Sequence, residues 1–172
     1  MVIGYREWVM IGDELLSPLA RRPWTPGIVT AECLTEIRGA RGLWREPVDH
    51  DGPAPDPGCV CGIYALFEPA RVRVRGRERM TVARGAVVLS GRIELHRRGM
   101  RAEFAEVVAL SFPRDKRAAA AVARTAERYG VRAVPAPELR GVALAHGSEV
   151  DPELIPDRPA VSPRSRRVFA QP

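Results

Sequence analysis

Lysine is almost missing from this chain: of its 27 lysines and arginines, only Lys116 is a lysine. That skew is the mark of a GC-rich coding bias, so an excess of arginine does not by itself identify a partner. Cysteine is scarce too, at three in 172 residues. An odd count with no export signal in "MVIGYREWVMIGDELL" argues against a disulfide framework and for a cytoplasmic protein. No apolar run approaches the ~18 residues of a membrane-spanning helix, so no membrane partner is expected. Aromatic residues make up 6%, and few lie near the basic segments, which argues against recognition of single strands by base stacking. The phosphate-binding loop, the dinucleotide fingerprint and the paired-histidine metalloprotease motif are also missing.

What is present describes a soluble globular chain, 45% apolar and 28% charged, long enough to bury a core. "GYREWVMIGDELLSPL" reads as two strands joined through Gly12 and Asp13, with Trp8 in phase with Arg6 and Met10. "RPWTPG" is a turn, because Pro23 and Pro26 fix backbone angles and remove donors. "IVTAECLTEI" fits a short strand or a helical turn. Residues 39–58 hold four glycines and four prolines and predict a long loop without periodic structure. "CGIYALF" then predicts a buried strand.

A hairpin is expected in "GAVVLSGRIELHRRGMRAEFAEVVALSF". If paired positions sum to 195, Leu95 faces Met100 and Ile93 faces Ala102, while Glu94 meets Arg101 and Arg92 meets Glu103. The same register sets Phe104 over Gly91 and Glu106 opposite Leu89, and gives Gly99 a left-handed turn position. A helix is predicted over 114–129, stopped by Gly130, with Ala119, Val122, Ala123, Ala126 and Tyr129 on its apolar stripe. "VRAV" and "GVALAH" fit short strands. The fold class expected is α+β: an antiparallel, partly closed, barrel-like β-sheet of about six strands, one packed helix and a metal-tied Pro/Gly-rich loop. Residues 1–146 form a single α+β domain in this reading, and 147–172 a Pro/Arg-rich C-terminal arm.

Cys33, His50, Cys59 and Cys61 form a C-x16-H-x8-C-x-C pattern. Three thiolates and an imidazole are a common structural zinc set, and two strand positions apart Cys59 and Cys61 point the same way. With four protein ligands no position stays open for water, so the zinc would be structural, tying the loop in place. Asp49, Asp51 or Asp56 are substitutes for a ligand. Three incidental thiols and a surface histidine are the bland alternative.

The motifs W-x-P-G at Trp24 to Gly27, "CVCGIYA" and "RGMRAEFA" (R-G-x-R-A-E) resemble an uncharacterised family of small proteins of high-GC bacteria, over about residues 5–130. That resemblance brings no activity with it. The cadence of "GIYAL…RGAVVLSGRIEL" is more remotely similar to PUA-like (ASCH) barrels, a resemblance that implies a bacterial β-barrel binding RNA or modified DNA bases.

Positive charge is concentrated. Residues 71–101 carry ten arginines against Glu78 and Glu94, a balance of +8 in a chain whose net charge is +6. Arg71, Arg73, Arg75, Arg77 and Arg79 share one face if extended, and Arg97 and Arg98 extend the patch, with His96 and Arg101 as neighbours. Nucleic acid is the partner expected for such a row, or an acidic protein; a solvated arginine face is the plain alternative. The leading expectation is therefore a non-catalytic, zinc-stabilised protein that binds nucleic acid or another polyanion, with oligomeric state left open. The competing enzyme would work near Cys61 and Glu106, taking a thiol nucleophile and His50, His96 or His146 as base.

Overall fold

The structure is a computed structural model that describes residues 1–18, 22–39, 42–47, 52–69 and 81–156, with 35–39 and 42–47 described by backbone alone. His50 and the arginines from 71 to 79 fall outside these residues. The elements in order are β1 (Val2–Ile11), β2 (Glu14–Leu16), β3 (Ile28–Thr30), β4 (Leu34–Gly39), β5 (Gly42–Pro47), β6 (Ile63–Leu66), β7 (Val82–His96), β8 (Gly99–Ser111), α1 (Lys116–Tyr129), β9 (Arg132–Val134) and α2 (Leu139–Leu144).

Seven strands form one sheet whose hydrogen bonds run in a partial ring. β1 pairs with β7, β7 with β8, β8 with β6, and β6 touches β1 at Tyr5 and Leu66. β2, β3 and β9 extend it, and only β9 runs parallel to its neighbour, β8. β4 and β5 form a separate two-stranded sheet. This is the expected α+β, largely antiparallel architecture.

The hairpin of β7 and β8 sets the geometry. Near the turn its register is the expected one, pairing Leu95 with Met100, Glu94 with Arg101 and Ile93 with Ala102. Beyond Ile93 the register slips: Ser90 pairs with Phe104 and Val88 with Glu106, leaving Gly91 and Arg92 opposite Glu103. An extra residue in one strand is a β-bulge, which bends and twists the ladder. Gly91 makes it possible with a left-handed φ of 73°, and a Cβ there would lie 2.7 Å from the Phe104 ring. Arg92 meets Glu103 through its backbone N–H, 3.0 Å from Oε2, rather than through its guanidinium.

Gly99 is needed for a different reason than the turn. It is not left-handed; a Cβ on it would sit 2.2 Å from the carbonyl oxygen of Ala65, so only glycine lets β8 approach β6.

Apolar residues fall into two layers. Trp8, Met10, Leu89, Met100, Ala102 and Leu110 pack with Val122, Ala126 and Tyr129 of α1. Ile3, Tyr5, Val88, Val108 and Ala109 pack with Leu139, Val142 and Ala143 of α2. β1 is therefore buried on both faces. α1 starts at Asp115, whose side chain accepts from the Ala118 N–H at 2.8 Å, and ends at left-handed Gly130. Thr125 is buried on its inner face, while Ala123 points outward.

Two further sequence expectations need correction. "GVALAH" is largely helix α2, because Leu139, Val142 and Ala143 recur with helical spacing against the outer face of the sheet. Residues 39–58 are not wholly aperiodic, since 42–47 pair with 34–39 as β5 and β4. At the other end, Ser148 pairs with β1, accepting from the Ile3 N–H at 2.9 Å, so the expected arm begins docked.

Candidate metal centre

The stretch from 52 to 62 has little periodic structure to hold it, and two arginines of the hairpin do so instead. Arg101, 3% exposed, projects from β8 under the loop. Its Nη1 donates to the carbonyls of Cys59 and, at 3.0 Å, Cys61; its Nη2 donates to Asp56 O at 3.1 Å and Glu94 Oε2 at 2.5 Å. A planar fork with several donors suits this convergence, and Glu94 answers its charge. Arg92 Nη1 reaches the carbonyls of Pro53 and Pro55 at 3.4 and 3.5 Å. Ala54 and Pro55, joined by a cis peptide bond, are buried and give the loop an apolar anchor. Gly62, at φ 121°, packs against the Arg101 and Pro55 side chains, where a Cβ would come within 3.0 and 3.2 Å.

With the carbonyls turned toward Arg101, the sulfurs gather elsewhere. The Sγ atoms of Cys33, Cys59 and Cys61 lie within 4.8 Å of one another, and Cys33 and Cys59 are 3.3 Å apart. An S–S bond is ~2.05 Å long, so the 3.3 Å pair is a contact between thiols rather than a disulfide. Tetrahedral zinc with bonds of ~2.3 Å places its sulfurs ~3.8 Å apart, within the spread seen here. Cys33 enters from the segment between β3 and β4, so chain regions 26 residues apart meet at this point. Cys61 is buried and its sulfur also accepts from the Asp56 N–H at 3.4 Å, while Cys33 and Cys59 are half-buried.

The thiols are electrostatically unequal. Burial pushes Cys33 up to about 12, reinforced by its hydrogen bond to Cys59 and by the charges of Cys59 and Cys61. Burial raises Cys61 as well. Burial also acts against ionisation of Cys59, but hydrogen bonds from Cys33, from the backbone N–H groups of Cys61 and Val60, and from Cys61 outweigh it and lower that thiol. Of the three, Cys59 is the thiol whose surroundings favour the thiolate, and in its contact with Cys33 either sulfur can donate.

Among the described residues, the group of candidate ligands has these three members. Asp56 is not one of them; its Oδ1 accepts from the Gly58 N–H at 2.7 Å and shapes the turn. His50, expected as the fourth, lies outside the described residues.

Arg97 and Arg98 are both exposed in the two-residue turn between β7 and β8. Arg101, expected beside them in the basic patch, is corrected to an interior position, where it spends its donors on the cysteine loop. Glu106 is also placed differently from its expected position. The bulge pairs it with Val88 and Ile28 rather than Leu89, and it lines a cleft of about 390 Å³ with Arg132, His146 and Tyr129. None of the cysteines lines that cleft. Sequence reasoning missed the structural role of Arg101, although its charge pairing with Glu94 was visible.

No family model, curated protein or solved structure matches the chain. Among the described residues, no helix is long and apolar enough to cross a membrane.

Proposed function

We propose that this chain is a non-catalytic binding protein stabilised by a zinc ion on Cys33, Cys59 and Cys61, with His50 as the fourth ligand. The observation that carries the reading is the gathering of three Sγ atoms within 4.8 Å from two separate parts of the chain. Soft thiolates at that spacing suit zinc better than oxygen-loving cations. The chemistry supplied is structural: a tether between the segment at 33 and the loop at 59–61.

The partner we infer is nucleic acid or another polyanion, met by Arg71, Arg73, Arg75, Arg77 and Arg79 with Arg97 and Arg98. The support is the local charge of +8 over residues 71–101 and the exposure of Arg97 and Arg98 at a hairpin tip. Counterion release makes such binding steeply salt-dependent. Resemblance to PUA-like barrels is compatible with an RNA or DNA partner and adds nothing about the site.

Two measurements test the proposal. Purified protein is expected to hold one zinc per chain, and Cys59→Ser to hold markedly less; metal-free wild-type protein would end the zinc reading. Affinity for unrelated DNA and RNA duplexes is expected to fall steeply between low and high salt, and affinity indifferent to salt would remove the polyanion reading. The enzyme alternative loses support from geometry, since the cleft at Glu106 and the thiols do not share a lining.

A further inference from the structure

Cys33 and Cys59 stand closer together than one zinc ion would hold them. Their Sγ atoms are 3.3 Å apart, against the ~3.8 Å that tetrahedral zinc imposes on two of its sulfurs. A covalent S–S bond is ~2.05 Å long, so the pair needs to close by only about 1.2 Å to form one. Both residues sit on irregular backbone, Cys33 between β3 and β4 and Cys59 in the loop that leads to β6. Closing the gap therefore calls on no residue of a strand.

An oxidant has access to this pair. Cys33 and Cys59 are half-buried, whereas Cys61 is buried at 7% exposure. Reversible oxidation favours an accessible sulfur with a second thiol beside it. Cys61 is two positions from Cys59, and a bridge between them would close a small, strained ring. A bridge from Cys33 to Cys59 spans 26 positions and ties together the same two chain regions as the metal.

The loop also keeps its shape through contacts that no metal supplies. Arg101 holds the carbonyls of Asp56, Cys59 and Cys61, and the buried Ala54 and Pro55 anchor the other end. None of these contacts uses a sulfur. Once Cys33 and Cys59 are joined, Cys61 is the last of the three thiolates, too few to keep zinc in place.

We propose that Cys33 and Cys59 are a site of reversible oxidation, joined as a disulfide by a peroxide and parted again by a thiol reductant, with release of the zinc ion. In the metal-free chain, two thiols and one hydrogen peroxide give one disulfide and two waters. One sulfur is first oxidised to the sulfenic acid with loss of a water. The second sulfur then attacks it, and the displaced hydroxide leaves with the thiol proton as the second water. In the zinc-bound chain both sulfurs enter as thiolates, and two protons are taken from solvent. The pairing stands on the sulfur geometry; only the release of zinc rests on the metal reading above.

The test uses the whole chain, both as purified and after metal removal with a chelator. Each sample receives one equivalent of hydrogen peroxide, remaining thiols are blocked with N-ethylmaleimide, and the chain is digested with trypsin. Trypsin leaves Cys33 in residues 22–38 and Cys59 with Cys61 in residues 46–71, so a bridge appears as one cross-linked pair in mass spectrometry. Fragmentation is expected to find the maleimide on Cys61 and the bridge on Cys59. The cross-link should vanish with dithiothreitol and fail to form in Cys33→Ser. One zinc ion should be released per bridge, read with a chromophoric chelator. A Cys33–Cys59 bridge in a protein purified without zinc supports the redox site and ends the metal reading. Zinc lost to peroxide with Cys61 in the bridge, or with a sulfur oxidised beyond the sulfenic acid, overturns the proposal and leaves the metal reading intact. Three thiols that all stay open to maleimide overturn it as well.

Discussion

Arg101 and Arg6 are both enclosed arginines of the same ring of strands, and the protein treats them in opposite ways. Arg101 is 3% exposed, yet its charge meets Glu94 and its donors meet three carbonyls of the cysteine loop. Arg6, half-buried, has one carbonyl, one shared hydroxyl and two aromatic rings, and no carboxylate among the described residues pairs with it; in both arginines Nε is left without an acceptor. A buried cation with its partners in place organises structure; one without them is a cost. The contrast separates a guanidinium that organises a loop through a carboxylate and three carbonyls from one held by neutral groups and ring faces. It also changes how the cysteine loop is understood, because a guanidinium shapes that loop before any metal arrives.

The largest effect is expected at Arg101. Arg101→Met strips donors from the carbonyls of Asp56, Cys59 and Cys61 and, among the described residues, leaves Glu94 with His96, 3.5 Å away. Breaking a buried pair on one side costs ~3–5 kcal/mol, and the one-third exposure of Glu94 points to the lower end. At ~2–4 °C per kcal/mol for a chain of this size, Tm should fall by roughly 6–12 °C in thermal unfolding. Zinc affinity should fall at least ~10-fold, as for other residues that orient ligands. An unchanged Tm would mean that the metal, not the guanidinium, holds the loop.

Tyr129→Phe comes next. The Tyr129 hydroxyl donates to Trp24 O at 2.5 Å and accepts from the Leu15 N–H at 3.2 Å, joining α1 to the W-x-P-G turn beneath Arg6. Its removal orphans two buried backbone groups and should cost about 1–2 kcal/mol in denaturant unfolding.

A smaller effect on the metal-free fold is expected from Cys59→Ser. In the presence of a chelator the variant should stay folded, within ~1 kcal/mol of metal-free wild type, because Arg101 and the buried Ala54 and Pro55 still hold the loop. Zinc affinity of the wild type should rise with pH. Metal binds thiolates, and Cys33, pushed to about 12, keeps its proton at neutral pH until the ion displaces it. Competition titrations across pH check the sign, and affinity that falls as pH rises would count against thiolate ligands.

Much of this architecture was legible where two signals coincide. Alternation and charge complementarity together fixed the pairing of Leu95 with Met100 and Glu94 with Arg101. Alternation alone failed between Gly91 and Val87, because Ala, Val and Leu fill both faces of β8 and an inserted residue leaves no mark on such a pattern; a second irregularity between Ala86 and Val87 returns the pairing to the expected sum, with Ala86 opposite Ala109. The displaced phase of Glu106 follows from that slip. Thiol chemistry was enough to group Cys33 with Cys59 and Cys61, though nothing in their spacing required the approach. Arg101 was misplaced because an arginine near Arg97 and Arg98 looks solvated in one dimension. The carbonyls that claim it belong to a loop 40 to 45 positions away. The short apolar run in "GVALAH" suits a strand or a helix until its neighbours are known.

The smallest change, and the sharpest comparison with Arg101, is Arg6→Met. Methionine fills a similar stem volume without the charge, and can pack against Trp8 and Trp24. It leaves the Tyr64 carbonyl at an exposed edge, where water replaces the lost donor. Replacing a half-buried cation that no carboxylate among the described residues pairs with by an apolar side chain is often neutral or stabilising, so stability should stay the same or rise by up to ~1 kcal/mol. Chemical denaturation of wild type and variant side by side measures the difference. A loss comparable to that of Arg101→Met would place Arg6 among the architectural residues, and the division between the two arginines would collapse.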